Sequence, residues 1–403
     1  MRILFVTGLY PKESISEIKE YTFDNLQNAA NVFQWAVVDG LHKNKVKFDV
    51  VSLPFLPAYP KRAKKLFSPS GDILLDDEKV GDMLSYCNLM GFKEISILHT
   101  LKRYVKKWIK ANINDELFII TYTPYVPFIK ALKALTKKYT QVKIASIVTD
   151  LVDDVMNFSS NTSFLKKVQL TIQYYQTKKL YKDIDKFILL SKYMVEKIPE
   201  SDGRSVIVEG IMGEMNNRVE FEIKKSQKII FYSGTFQEFS GVRKLVDAFC
   251  QTKDVDFRLQ LCGYGPLTTY VQEMEKRDSR IVYMGMMDRK DVLILQKKAT
   301  ALINPRQPNG GITKYSFPSK TMEYMVSGTP MIGYKLEGIP KEYYDNMYIV
   351  EDNKIETLAK CIDEVLSLSQ IDLNEKARKA FEFIKNNKTS QMQVRKIIDF
   401  LNN

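Results

Sequence analysis

The chain has 403 residues, 45% hydrophobic and 27% charged, the balance of a folded protein and not of a disordered one. That length exceeds one ordinary hydrophobic core and suits two α/β domains of roughly 200 residues each. The net charge is +12, with four scattered cysteines and two histidines. No CxxC pair or Cys/His cluster is present, which argues against a zinc site and leaves the cysteines as buried thiols of a reducing compartment.

The N-terminus runs from Met1-Arg2 straight into ILFVTGLYP, too short for a secretory apolar core and shaped like a first buried strand. No run approaches the length of a transmembrane helix, so a cytoplasmic protein is expected. Further strands are expected at 48–53, 117–122, 143–149, 186–190 and 205–208, each a nearly continuous Ile/Val/Leu/Phe run of the kind buried on both faces of a parallel sheet. Helical patterns lie between them at 31–41, 127–137 and 164–181. Residues 101–150 hold ten Lys/Arg against three Asp/Glu. Within them LKRYVKKWIK sets Leu101, Tyr104, Val105, Trp108 and Ile109 on one helical face and Lys102, Arg103, Lys106, Lys107 and Lys110 on the other. Such a helix either packs its apolar face on its own domain or adsorbs to anionic lipid. No nucleic-acid motif accompanies the charge.

The pattern lapses in the polar segment GEMNNRVEFEIKKSQ, read as a linker over 213–227 between an N-terminal domain at 1–212 and a second domain at 228–383. The second domain again alternates strand and helix: 228–233, 242–251, 257–262, 267–277, 281–284, 288–298, 301–304, 319–327 and 330–333. A final helical run at 375–401 places a C-terminal helix at 384–403, available to pack back on the first domain.

In doubly wound sheets, ligands bind beyond the carboxyl ends of the strands. Gly8 follows the first strand, where its N–H can approach a phosphate or an acceptor, or simply make a turn. In the second domain Gly234 and Thr235, then Gly263 and Gly265, then Gly285, then NPRQPNGG with Arg306 follow successive strands. The segment FPSKTMEYMVSGTP at 317–330 reads as a helix whose first turn carries Ser319, Lys320 and Thr321, a setting for a diphosphate. Gly328 ends that helix. Glu323, one turn in, suits a ribose diol. Asp150 ends the strand SIVT and serves either as a helix cap or as a group that polarises an acceptor hydroxyl. Asp153 and Asp154 are alternatives. The segment TPYVPF at 123–128 is a candidate acceptor lining.

These pieces resemble the donor domain of retaining GT-B glycosyltransferases of family 4, in the bacterial capsule and exopolysaccharide subgroup that carries an FPSK-x-x-E segment. The likeness runs through YSGT…GVRKLVDAF, LQLCGYGP, IVYMGMMDRKDV, ALINPR and KYSFPSKTMEYMVSGTPMI, about 180 residues in order. It is thinner in the first domain, in RILFVTGLYP, SIVTDLVDDV and FILLSKYM.

The resemblance implies two Rossmann-like domains facing across a cleft. A hexose would pass from a nucleotide sugar, UDP-linked, to a glycan or lipid-linked acceptor, with retention and with neither cofactor nor metal. Donor contacts would come from Gly8, Gly234, Thr235, Gly263, Gly265, the backbone around Met286, Arg306, Ser319, Lys320, Thr321 and Glu323, with Asp150, Lys320 and Arg306 as catalytic groups. The basic N-terminal domain would allow peripheral membrane contact. The sequence departs from the family at Tyr315, where an acid is common eight residues before Glu323. It departs again at Thr235 and Ser240, where relatives carry Arg and Lys. Arg306 and Lys320 must then supply the positive charge, with Arg243 and Lys244 as runners-up. Two rivals remain, a catalytically silent GT-B partner subunit and a sugar-nucleotide epimerase.

Overall fold

The computed structural model describes the chain apart from residues 24, 25, 27, 152–163, 214–227, 309, 310 and 312, and apart from the side chains of 164–167 and 169. The linker expected at 213–227 and the alternatives Asp153 and Asp154 therefore lie outside the described residues, all but Gly213. The chain divides into two units, one of residues 1–214 with 389–403, the other of 215–388.

The first unit is built on β1 (Arg2–Thr7), β2 (Lys47–Ser52), β3 (Gly71–Leu75), β4 (Glu78–Met83), β5 (Leu117–Tyr122), β6 (Lys143–Val148), β7 (Lys186–Leu189) and β8 (Ser205–Ile207). Their order is β3-β4-β2-β1-β5-β6-β7-β8. Neighbours are parallel except β3 and β4, which pair antiparallel. The central strands earn their place by composition: every residue of β5, LFIITY, is buried, as a strand covered on both faces requires.

The β3–β4 pair was not expected. Its segment, GDILLDDEKVGDM, carries Asp76 and Asp77 at positive φ (51° and 64°) in the turn and exposes the outer ends of both strands. A polar edge hairpin of this kind lacks the continuous apolar run of a central strand.

Around this sheet lie α1 (Ile15–Tyr21), α2 (Asn28–Lys43), α3 (Lys93–Ala111), α4 (Val126–Thr136) and α5 (Phe164–Leu180). The basic amphipathic stretch is the C-terminal half of α3. It packs on its own unit: Leu101, Val105, Trp108 and Ile109 are buried, Trp108 Nε1 donates to Asp49 Oδ2 at 2.8 Å, and the half-buried Tyr104 hydroxyl donates to Asp82 Oδ2 at 2.9 Å.

The second unit has β9 (Lys228–Thr235), β10 (Phe257–Tyr264), β11 (Ile281–Gly285), β12 (Ala301–Asn304), β13 (Met331–Tyr334) and β14 (Tyr348–Val350). They form one parallel sheet in the order β11-β10-β9-β12-β13-β14. Its helices are α6 (Val242–Phe249), α7 (Thr268–Arg277), α8 (Arg289–Lys298), α9 (Ser319–Met325), α10 (Ile355–Ser367) and α11 (Gln370–Asn387).

The run expected as one helix over 375–401 is broken. Helix α11 ends at Asn387, and α12 (Ser390–Asn402) starts afresh, capped by Thr389, whose hydroxyl accepts from the Met392 N–H at 3.3 Å. The stop falls at 388–389, not at 383–384. Helix α12 belongs to the first unit. Val394, Ile397, Ile398 and Leu401 enter that unit's core, and Gln393 Nε2 donates to the Gly210 carbonyl at 2.6 Å.

Those four side chains stabilise the first unit by about 1.5–3 kcal/mol apiece, a sum comparable with the whole stability of a domain. Truncation after Lys388 should therefore unfold the first unit and spare the second. Hydrogen exchange on the truncated chain should show amides of β1 and β5 unprotected while those of β9 and β10 stay protected. Equal protection in both units would contradict this packing.

Candidate functional site

In the second unit, three loops leave the carboxyl ends of the neighbouring strands β10, β9 and β12 and are packed backbone to backbone. A methyl group on Gly263 (φ 147°) would lie 1.8 Å from the Gly234 carbonyl oxygen. One on Gly241 (φ 80°) would lie 2.0 Å from the Pro305 carbonyl oxygen. Only glycine satisfies both the contact and the positive φ. Gly265 is tied in the same way: its N–H donates to Thr268 Oγ1 at 3.0 Å, and a side chain there would strike the Phe236 backbone. Gly263 and Gly265 thus bring the loops together, and the Gly265 N–H is spent on Thr268.

Onto this shelf α9 delivers Lys320. Its Cε would stand 2.7 Å from a methyl on Gly234, and the Tyr232 hydroxyl oxygen lies equally close to that point. Lys320 is half-buried. Desolvation by burial pushes its pKa below the ordinary lysine value, with Glu323 opposing the shift and Arg289 adding to it. Arg306 is on the loop after β12. Burial pushes the Tyr232 hydroxyl up to about 12, and the Arg306 charge pulls the other way. Arg306 also donates to Ser316 Oγ at 3.5 Å and lies 6.0 Å from the Phe239 ring centroid. Gly234 and Lys320 therefore meet at the end of β9, with Thr235 exposed beside them and the Arg306 charge acting on Tyr232.

The carboxylate of Glu323 is held from both sides. Oε1 accepts from Gln296 Nε2 at 2.8 Å, and Oε2 pairs with Arg289 Nη1 at 3.2 Å. Gln296 is fully buried and fixes the carboxylate. Arg289 is 45% exposed, and a pair so solvated is worth at most about 1 kcal/mol, so a ligand can displace it. Neither partner was anticipated. Both lie on α8, which begins at the arginine of MMDR, and no spacing in the sequence links that helix to FPSK.

The first turn of α9 is simpler than expected. Pro318 occupies the cap position, and Ser319 is the first helical residue, exposed and making no cap. Thr321 offers nothing outward: its side chain is fully buried, and its N–H donates to the Pro318 carbonyl at 2.9 Å. Met286 is 61% exposed at the end of β11. Arg243 pairs with Glu238 at 2.9 Å, and Lys244 donates to the Asn353 side-chain oxygen at 2.9 Å; both sit on the surface. Ser240 is buried, its hydroxyl donating to the Gln237 carbonyl at 2.5 Å, and Tyr315 lies under the Lys314 ammonium.

The first unit has its own cavity, of about 520 Å³, also at strand ends. Tyr10, Phe55, Arg62, Lys93, Tyr122 and Asp150 are among its walls. TPYVPF contributes Thr123 through Val126 to the lining, with Phe128 packed behind. Thr123 holds φ 64°, a left-handed conformation costly for a non-glycine residue and common at functional sites. Asp150 is exposed and close enough to act on the buried Tyr122 hydroxyl, which burial raises first and Asp150 next, while a Thr149 hydrogen bond opposes both. Burial also brings the Lys93 ammonium down to about 8, helped by the Arg62 charge and opposed by Glu94. Gly8 does not serve as an open donor here. Its N–H is donated to Gln34 Oε1 at 2.8 Å, and a methyl on it would meet the Phe55 ring at 2.4 Å. Among the described residues, no three His, Cys, Asp or Glu side chains come together as metal ligands, and no helix is long and apolar enough to cross a membrane.

Residues 214–402 match the family model of glycosyl transferases group 1. The N-acetyl-alpha-D-glucosaminyl L-malate synthase of Bacillus anthracis is 25% identical over 169 residues, a stretch that spans 40% of this chain and 42% of that relative. Three solved structures share the fold over the whole chain. Sucrose-phosphate synthase from Thermosynechococcus elongatus has 14% identity and a TM-score of 0.65, covering 98% of that protein. Anabaena HepE in complex with UDP has 13% identity and a TM-score of 0.58, covering all of it. A mutant of S. aureus TarM in complex with Fondaparinux, alpha-GlcNAc-glycerol and UDP has 10% identity and a TM-score of 0.59, again over its full length.

Over residues 214–402 the chain is similar to group 1 glycosyl transferases, and the solved structures share its fold. Its fold is of the GT-B class, two Rossmann-like α/β units with parallel sheets, and the sequence-matched part contains the whole Gly234, Lys320, Glu323 and Arg306 cluster.

The close approach of the loops makes a direct prediction. Gly263→Ala should cost the second unit about 1–3 kcal/mol, read as a lower denaturant midpoint. Gly285→Ala, which also has positive φ but nothing within 4 Å of the added methyl, should cost about 1–2 kcal/mol at most. Equal, small losses at the two positions would show that the Gly263–Gly234 contact is slack.

Proposed function

We propose that this chain transfers a hexose from a nucleotide sugar, UDP-linked, to a glycan or lipid-linked acceptor with retention, in surface polysaccharide assembly. The observation that carries the reading is the Lys320 cation over Gly234, with the Arg306 charge acting on Tyr232 and the Glu323 carboxylate fixed by Gln296. Two cations suit a diphosphate. A carboxylate oriented by a buried amide suits the two hydroxyls of a ribose, each oxygen keeping a lone pair for them once Arg289 yields. The relatives crystallised with UDP favour uridine, for which the backbone around Met286 is the reader.

In the reaction, the acceptor hydroxyl oxygen forms a bond to the anomeric carbon on the face from which the diphosphate departs. The bond between that carbon and the diphosphate oxygen breaks, and the acceptor proton passes to the leaving diphosphate. Lys320 and Arg306 stabilise the charge that builds there, an electrostatic form of catalysis that requires no metal. The acceptor is assigned to the first unit's cavity, where Asp150 orients its hydroxyl. The relative named for L-malate and the cavity's Arg62 and Lys93 favour a second acceptor class, a small carboxylate, within the same chemistry.

Calorimetry and transfer assays with UDP-, GDP- and dTDP-sugars, against glycan, lipid-linked and small-acid acceptors, test this directly. Binding and turnover should favour one UDP-sugar. Glu323→Ala and Lys320→Ala should each weaken the donor by about tenfold or more, and EDTA should leave the rate unchanged. Binding without transfer would point to a silent partner subunit, and donor rearrangement without an acceptor to an epimerase. Nucleotide binding unaffected by both substitutions would sink the assignment of the site.

A further inference from the structure

We propose that the first unit docks on an anionic lipid bilayer through a layer formed by residues 58–67 with the segments at 21–23 and 87–95. This goes beyond the transfer reaction, and its relevance to a lipid-linked acceptor rests on that reading. The three segments are knitted by backbone bonds. Phe23 N–H donates to the Arg62 carbonyl at 3.2 Å, Lys64 N–H to Tyr21 at 2.8 Å, Asn88 N–H to Leu66 at 2.7 Å and Met90 N–H to Tyr59 at 3.0 Å. On this layer Phe23 is 66% exposed, Phe67 60%, Met90 55%, Phe92 61% and Ile95 54%. Single exposed apolar residues are ordinary, but five on one knitted layer are not.

The charge decides the occupant. Lys61, Arg62, Lys64 and Lys65 sit among the apolar groups with Lys93, against Glu94 as the one acid of the three segments. The Lys64 ammonium lies 5.3 Å from the Phe23 ring centroid. Aromatic and Met side chains that enter an acyl boundary, ringed by lysines that reach headgroup phosphates, are the composition of an interfacial anchor. A symmetric contact with a second copy would set these lysines against themselves. The same layer supplies Thr22, Pro57, Arg62 and Lys93 to the wall of the cavity, so a docked face would put the cavity beside the headgroups. The basic stretch of α3 is the lesser candidate, because its apolar face is already buried within the unit.

The test is flotation of the full chain with vesicles of phosphatidylcholine alone and with about 30% phosphatidylglycerol. The chain should float with the anionic vesicles at least about tenfold more than with the neutral ones. The triple variant Lys61→Glu, Lys64→Glu, Lys65→Glu should lose more than about a hundredfold in binding. Phe67→Ser with Phe92→Ser should lose about tenfold at unchanged charge, while Lys106→Glu with Lys107→Glu on α3 should float like the parent. All are surface positions, and amide protection in β1 and β5 equal to the parent's certifies that the first unit is folded. Flotation with neither vesicle, equal loss from the α3 pair, or layer variants that alter oligomeric mass but not flotation would overturn the proposal. Transfer to a soluble acceptor is measured in parallel; its absence beside normal flotation counts against the enzyme and not against the docking face.

Discussion

The contact between Gly263 and Gly234 is the constraint on which the second unit's site depends. With 1.8 Å between a would-be methyl and a carbonyl oxygen, the two strand ends are as close as backbones come. That closeness leaves a shallow floor at Gly234, over which Lys320 can lie flat. A side chain on Gly234 would strike Lys320 and the Tyr232 hydroxyl, and one on Gly263 would strike the Gly234 carbonyl. Packing at the strand ends, and not any loop's own preference, sets where positive charge gathers.

From that floor the electrostatics follow. Lys320 loses hydration, which works against its charge, so a buried cation here is held at a cost that an arriving anion relieves. Glu323 is near enough to favour that charge but is itself occupied by Gln296 and Arg289. The site is therefore assembled with one firm partner and one solvated one. The cavity of the first unit repeats the theme in aromatic form, with Phe55, Tyr122 and Tyr125 packed around a polar end at Thr149 and Asp150.

Much of this was legible in the residues. Continuous apolar runs such as LFIITY mark buried parallel strands, and the turn-forming glycines that follow them mark the carboxyl ends where the clusters lie. What those glycines do was not legible. Gly8, Gly263 and Gly265 look alike as strand-end residues whether they face a ligand or a neighbouring loop, and only the fold shows that the Gly8 and Gly265 N–H groups are spent internally and that Gly263 abuts Gly234. The partners of Glu323 were hidden for a related reason: Gln296 and Arg289 are ordinary helix positions until the sheet brings α8 beside α9. The hairpin at 71–83 was missed because an edge strand needs only one covered face. The break at Thr389 was missed because the helical pattern runs on through it, although a threonine cap was there to be read. The layer around 58–67 shows as a basic stretch in sequence, but its aromatic members come from segments dozens of residues apart.

The central claim, that Lys320 supplies the charge that holds a diphosphate at Gly234, is tested most directly by the pH dependence of UDP binding in the parent chain and in Lys320→Arg. A lysine whose pKa is lowered by burial is charged below that value and neutral above it. Parent affinity should thus begin to fall with rising pH below the range in which an ordinary lysine titrates, because burial lowers the Lys320 pKa, while Lys320→Arg should hold its affinity there. Parallel curves for the two proteins would contradict the claim.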